Sequence, residues 1–445
     1  MTGHQVTVDA SGLGAKRCSR EEGFGVRNGI VRRTFCAGVA LAAALLLLSA
    51  CNLLALHRDL RAGANAGGVA GQVRHGESDA SVIVVFALRE EGDAWVADNY
   101  VHLATQQDFL MRLVAGQRYR IGAFADRNDN LRPDAGEPAV LLSDPVTVAQ
   151  GWKGVTKLNL TLTPAGRLGR TAAEALQHLP QVELRPLPLA IGEVTDLDDE
   201  RFSAESGSMG LWRPFEFLAN VGIGVFFLEP YDPKRTPVLF VSGAGGNPRE
   251  WRSMIEALDR ARYQPWVFVY PSGQRLASSA MVLDHTVSAL RREYGFGGLV
   301  VTAHSMGGLV ARDFIQRNAG NGGVPVFVSL VTPWRGHPAA SIGVRRSPAV
   351  IPSWIDMQTD SEFQQAIFAR PFPATTAYYL FYAQTDPAQP PERATDGTIA
   401  VSSQLHPDAV RDAREVLGFT ENHTSVLRSP EVIAAYLRVL GTTAR

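Results

Sequence analysis

Four short segments in the C-terminal half of the chain contain almost no polar residues: "PVLFVSG", "PWVFVYP", "GLVVTAH" and "PVFVSLVTP". Between them lie longer amphipathic stretches, "REWRSMIEALDRAR", "SSAMVLDHTVSALRREYG" and "GGLVARDFIQRNA". A strand that is apolar on both faces must be covered on both faces, and crossovers of a dozen or more residues join parallel strands. The pattern predicts an α/β domain over residues 220–445 with a mostly parallel central sheet between helical layers. No solenoid-type repeat is present.

The third apolar segment runs into "VVTAHSMGGLVAR" (Val300–Arg312). A strand, a serine flanked by small residues and a helix make the context of a nucleophile elbow, G-x-S-x-G, with Ala303 in place of the first glycine and Gly307 as the second. The elbow sets Ser305 at a helix N-terminus, where free N–H groups favour a developing anion. A serine hydroxyl needs a base, and the chain has ten histidines. His285 falls mid-helix, His304 adjoins Ser305 as a packing or hydrogen-bonding residue, His337 lies on the loop after a strand, and His406 is only ten residues past Asp396. His423 sits between a strand-like piece and the last helix, in "GFTENHTSVLRSPEVIAAYLRVL". Two acids precede it: Asp386 after a strand, and Asp396 at the head of "DGTIAVSS".

These residues carry a resemblance. A-H-S-M-G-G resembles a group of small bacterial lipases with the same six residues, and the stretch from about Val221 to Leu440 resembles the α/β-hydrolase superfamily. The resemblance implies Ser305 as nucleophile and His423 as base. It favours Asp396 over Asp386 as the acid, because "DGTIAVSS" resembles the D-G-x-V-x-x-x-S stretch of many lipases. The order Ser305, Asp396, His423 is that of the superfamily. Oxyanion donors are expected from Met306 N–H and from Ala244 N–H in "VSGAGGNPREW". Relatives usually have His where Ser242 stands, a departure that bears on how this loop is held. "GAGG" lacks the P-loop lysine and the G-x-G-x-x-G spacing, which excludes nucleotide binding, and no cofactor motif is found. "VTPWRGHPAA" resembles a T-P-x-x-G-S-P segment of lipase and deacylase relatives. Residues 333–375 lie where lids are inserted; Trp334, Trp354 and Met357 either line an acyl pocket or belong to a packed cap.

The N-terminal half reads differently. "RRTFCAGVALAAALLLLSAC" (Arg32–Cys51) has arginines, a short apolar run and small residues before a cysteine, the pattern of a secretory signal. Leu48-Ser49-Ala50-Cys51 resembles the bacterial lipobox, which implies cleavage before Cys51 and its lipidation, and Asn52 then implies the outer membrane of a bacterial envelope. An uncleaved membrane helix is the competing reading. Asp9, Glu21 and Glu22 are out of place before such a signal, so the natural start is expected near Val26 or Val31. Cys18 and Cys36 precede the cut, which leaves no disulfide. Residues 1–50 are then leader and signal, 51–68 a Gly/Ala-rich lipidated tether, 69–165 a small all-β, Ig-like sandwich and 166–219 a connector. The sandwich resembles carboxypeptidase-regulatory-like and Ig-like modules. Within it, Asp126, Asn128, Asn130, Asp134 and Glu137 occupy positions 1, 3, 5, 9 and 12 of a calcium-loop pattern, with Leu131 at the turn glycine's place; an Asn-rich turn reads equally well.

Net charge is −1 with 20% charged residues, so nothing suggests nucleic acid as a partner. The expectation is a membrane-anchored carboxylic-ester hydrolase acting on lipid or acyl esters. The same residues serve a thioesterase, amidase or acyltransferase, and a non-catalytic surface-binding lipoprotein is the other class.

Overall fold

The computed structural model describes residues 52–442, apart from 62, 64–65, 75–81, 93, 104–107, 149–155, 165, 178–188, 320–322 and 391. The expected signal segment and Cys51 lie outside the described residues. The first described element is a helix over residues 52–61, here α1.

Eight strands follow: β1 (Ala66–Arg74), β2 (Val82–Glu91), β3 (Ala94–Leu103), β4 (Asp108–Val114), β5 (Arg118–Asp126), β6 (Ala139–Leu141), β7 (Val146–Thr147) and β8 (Thr156–Thr161). They form one sheet in the order β4-β1-β8 and another in the order β3-β2-β5-β6, with β7 paired to β5. Val69 and Met111 of the first sheet share a core with Val85, Ile121 and Ala123 of the second. The opposite face of β2 and β5, with Val84, Phe86 and Phe124, is covered by Leu176 and Ala172 of α2 (Arg170–Leu176). Cover on both faces explains why "VIVVFAL" is apolar without alternation.

The second body of the fold is an eight-stranded sheet in the order β16-β15-β14-β13-β11-β12-β10-β9. Its strands are β9 (Leu189–Val194), β10 (Ile223–Phe227), β11 (Thr236–Val241), β12 (Tyr263–Val269), β13 (Val300–His304), β14 (Val326–Leu330), β15 (Ala377–Ala383) and β16 (Glu415–Phe419). Neighbours pair in parallel except β10 with β12. The helices are α3 (Ala204–Trp212), α4 (Pro214–Asn220), α5 (Arg252–Glu256), α6 (Leu276–Tyr294), α7 (Met306–Asn318), α8 (Pro338–Arg346), α9 (Pro352–Met357), α10 (Glu362–Ala369), α11 (Val401–Gln404), α12 (Pro407–Asp412) and α13 (Pro430–Thr442). Along β11, Leu239 and Val241 face a core shared with α6 and α7, while Val238 and Phe240 face one shared with α5 and α13. Each such buried side chain contributes roughly 1.5–3 kcal/mol of transfer free energy, so two-sided burial outweighs the lack of alternation.

Two boundaries differ from the sequence expectation. The connector expected over 166–219 contains β9, which pairs in parallel with β10, and Phe202 and Phe217, which sit in the sheet's core. The eight-stranded sheet therefore begins at Leu189; β9 is hidden in sequence because Pro186 and Pro188 precede it and read as loop. The segment expected as a tether is helical over residues 52–61. Leu56 is buried there with Ala349 and Ile351. The carboxylate of Asp59 accepts the Phe215 and Glu216 N–H groups at 3.0 and 2.8 Å, capping α4.

Strand order places the site. β11 lies between β12 and β13, so the chain leaves β11 in one direction and returns to it from the other. Such a reversal opens a crevice at the carboxyl ends of the strands. Val241 and Ala303 pair at those ends, and the loops that follow them carry the candidate site.

Candidate active site

Ser305 sits between β13 and α7 with φ 54° and ψ −132°, a conformation that side-chain-bearing residues rarely adopt. Its N–H donates to Leu330 O at 2.8 Å, which ties the turn to the next strand. Small neighbours make the turn possible. A Cβ on Gly307 would stand 2.5 Å from the Val241 and Ser242 carbonyl oxygens, and one on Gly243 would stand 2.8 Å from Ser305 Cβ. Ala303, in place of the usual first glycine, is fully buried and fits.

The structure brings Ser305, His423 and Asp396 together. His423 Nε2 is 2.9 Å from Ser305 Oγ, and His423 Nδ1 is 2.7 Å from Asp396 Oδ2. Asp396 has 0% exposure. Its other oxygen accepts the Thr398 and Ile399 N–H groups at 2.8 and 2.6 Å, so the buried carboxylate is fully bonded. The His423 N–H donates to Asp396 O at 2.9 Å, locking the two loops at the backbone as well. Asp386, the rival acid, is exposed and caps its own turn through Ala388 N–H.

His304 holds His423 from behind. Its Nε2 is 2.7 Å from His423 O, and the ring centroids are 4.9 Å apart. A carbonyl only accepts, so Nε2 carries the hydrogen. Burial pushes the His304 imidazole down to about 3, so it is neutral and adds no positive charge beside His423.

The loop after β11 faces the same point. Among the described residues, the N–H groups of Ala244 and Met306 have no acceptor, as oxyanion donors require. Gly245 N–H is engaged by Ser272 Oγ at 2.9 Å. Ser242, where relatives have histidine, accepts the Trp251 indole N–H at 3.0 Å and, at its carbonyl, the Tyr270 hydroxyl at 2.7 Å. Tyr270 and Ser272, on the loop after β12, and Trp251, at this loop's own C-terminal end, therefore hold it. The first two were not visible in the sequence, because no local pattern announces a contact made across the fold.

The 333–375 segment contains α8, α9 and α10 and is clamped to the body. Arg275 makes a two-pronged bond to the buried Asp356, at 2.7–3.0 Å. Arg312 reaches Ile367 O from α7 at 3.3 Å. Trp334 is in the main core against Phe327 and Tyr378, and Met357 is buried there too. Trp354 packs edge-on against Trp212 at 6.0 Å. His337 and His406 cap α8 and α12.

The Asp126–Glu137 loop closes on itself. Asp126 accepts the Asn130 and Leu131 N–H groups, Glu137 accepts those of Arg127 and Asp134, and Asp134 accepts the Asn128 and Asn130 amides. Leu131 has φ 59°, making the turn usually left to glycine. Among the described residues no group of three or more His, Cys, Asp or Glu is placed to hold a metal ion.

Residues 238–440 match the model of the alpha/beta hydrolase family. This part of the chain is thus similar to the α/β hydrolases. A search of curated proteins returns no match. Solved structures similar to it include Bacillus licheniformis lipase BlEst2 in mature form, at 15% identity and TM-score 0.40, covering 48% of this chain and 97% of that one. Aspergillus fumigatus lipase B is another, at 14% identity and TM-score 0.38, covering 49% of this chain and 55% of that one.

Proposed function

We propose that this hydrolase cleaves carboxylic esters, with lipid or acyl esters as substrates, and works on the bacterial envelope through a lipidated Cys51. The observation that carries the ester-hydrolase reading is the bonded series Asp396–His423–Ser305, set beside two unused backbone N–H groups. Support for the anchor is the apolar run that ends Leu48-Ser49-Ala50-Cys51.

In this mechanism His423 Nε2 takes the proton of Ser305 as Oγ bonds to the acyl carbon. The carbonyl electrons move to oxygen, and the oxyanion lies against Ala244 and Met306 N–H. One such donor is worth about 2.7–4 kcal/mol of barrier. Collapse expels the alcohol, which receives the proton from Nε2 and leaves Ser305 acylated. Water then repeats the sequence, giving up its proton to His423, and the acid departs as Oγ recovers that proton. Asp396 holds the imidazole in the tautomer with hydrogen on Nδ1 and stabilises the imidazolium.

The test is intact mass after exposing the full chain and its Ser305→Ala variant to a fluorophosphonate. We expect one adduct on the parent and none on the variant. Unmodified parent with native circular dichroism would refute an activated Ser305.

A further inference from the structure

The helix α1 begins at residue 52, directly after the cysteine that ends the apolar run. Its two faces differ. Leu53, Leu56 and Leu60 pack against Ile351, Trp354, Leu211 and Trp212, from α3 and the cap. The outward face, at i, i+4 and i+7, carries Leu54, Arg58 and Arg61, all exposed. Leu54 is 60% exposed, although leucine is ordinarily buried.

The elements that α1 touches are those that wall the candidate site. A Cβ on Gly245, in the oxyanion loop, would lie 3.5 Å from Leu211. Gly210 O accepts the Gly273 N–H at 2.8 Å, and Gly273 O accepts the Ser353 N–H at 3.0 Å, so α3, the loop before α6 and α9 are bonded in series. The cap helices beside α1 also show apolar side chains to solvent. Ile342 on α8 is 50% exposed and Ile355 on α9 is 38% exposed. Ile342 neighbours Gly343, whose Cβ position lies 2.5 Å from the Trp354 ring, and Ile355 follows Trp354. Cationic side chains complete the surface. A groove of about 460 Å³ beside α1 is lined by Arg58, Arg112 and Arg213 together with Asp59 and Glu216; Arg213 pairs with Glu216, and Asp59 caps α4. Among the described residues Arg58 and Arg112 have no ion-pair partner.

We propose that α1, α8 and α9 form a membrane-docking surface, with Leu54, Ile342 and Ile355 in the acyl–headgroup boundary and Arg58 and Arg112 on lipid phosphates. The occupant is the bilayer that holds the anchor, and the proposal rests on that anchor reading. Two arguments select it. The chain outside the described residues ends in an apolar run and a lipobox-like cysteine immediately before α1. Exposed apolar side chains beside two arginines without an ion-pair partner also complement an anionic lipid surface. Because α1 packs on Leu211, which meets the oxyanion loop, docking holds the site at the surface that carries lipid esters.

The test uses the chain as processed by a bacterial host, placed in vesicles of phosphatidylethanolamine and phosphatidylglycerol with an environment-sensitive dye on Ile355→Cys; lipidation blocks Cys51, and Cys18 and Cys36 precede the cut. We expect blue-shifted emission that a lipid-borne spin label quenches, while dye on Val416→Cys, at the far edge of the sheet, stays water-like. Ile342→Cys reports on the same surface. We also expect Leu54→Glu, Ile342→Glu and Ile355→Glu together to lower hydrolysis of a vesicle-borne ester about tenfold while a soluble short-chain ester is turned over as before. Water-like emission at positions 355 and 342 in protein that sediments with the vesicles overturns the docking. Protein left in the supernatant overturns the anchor, and the docking with it. An inactive parent with a shielded position 355 supports docking and removes only the ester-hydrolase reading.

Discussion

Asp386 and Asp396 are chemically alike, and their surroundings separate them. Asp396 is buried, accepts two backbone N–H groups and faces His423 Nδ1 at 2.7 Å, whereas Asp386 is exposed at a turn. Asn at 396 presents an amide where the imidazole needs an acceptor, so Asp396→Asn is expected to lower kcat by about 10⁴ without unfolding the protein. Asp386→Asn leaves kcat within about twofold. Steady-state kinetics on both variants checks the assignment, and the reverse pattern would transfer the role to Asp386. His304 makes a separate prediction. Its folded-state pKa is depressed from 6.5 to about 3 by burial. Above 6.5 both folded and unfolded chains carry it neutral, and its contribution to stability is fully present. As pH falls toward 3 the unfolded chain takes up a proton that the folded one refuses, and stability is lost at up to about 1.4 kcal/mol per pH unit. His304→Gln keeps an N–H for His423 O and removes this titration. Urea unfolding between about pH 4 and 6.5 should therefore show a shallower acid limb in the variant; equal slopes would place the acid sensitivity elsewhere.

Elements meet closely where α3 crosses the oxyanion loop. A Cβ on Gly207 would stand 2.5 Å from Gly245 O and 2.8 Å from Gly246 O, both backbone atoms that cannot rotate away. Gly207→Ala is expected to shift the loop and misplace Ala244 N–H, lowering kcat about 10²-fold with little change in KM. A variant with parental kcat would show that the loop has slack. This contact also marks what a linear reading reaches. The strands β11, β13 and β14 were legible because burial on two faces leaves an uninterrupted apolar run, and the elbow was legible because its sterics are local to Ala303, Ser305 and Gly307. His423 and Asp396 were reached through chain order and family likeness. The supports were not: Tyr270 and Ser272 act on the oxyanion loop from the loop after β12, and Asp59 caps a helix 156 positions away. β9 was missed because an edge strand with an exposed Glu193 after two prolines has the composition of a loop.

At the scale of the molecule, the β module is joined to the catalytic sheet by shared core. Ala70 of β1 and Leu110 of β4 belong to one apolar cluster with Leu218 and Ile223. Leu110 also lines a small cavity with Leu218, Ile223 and Val282 of α6. Residues Leu53–Arg445 accordingly form a single compact unit. A shared core makes separate unfolding costly, since either half alone would expose these side chains to water. Calorimetry is therefore expected to show one transition for the described region. Leu110→Ala removes a buried side chain beside an existing void, at a cost of about 2–5 kcal/mol. It should move that whole transition down, together with the temperature at which ester hydrolysis is lost, although Leu110 belongs to the β module and not to the catalytic sheet. Two transitions, with only the lower one moved by Leu110→Ala, would mean that the β module melts alone and the catalytic sheet does not depend on it.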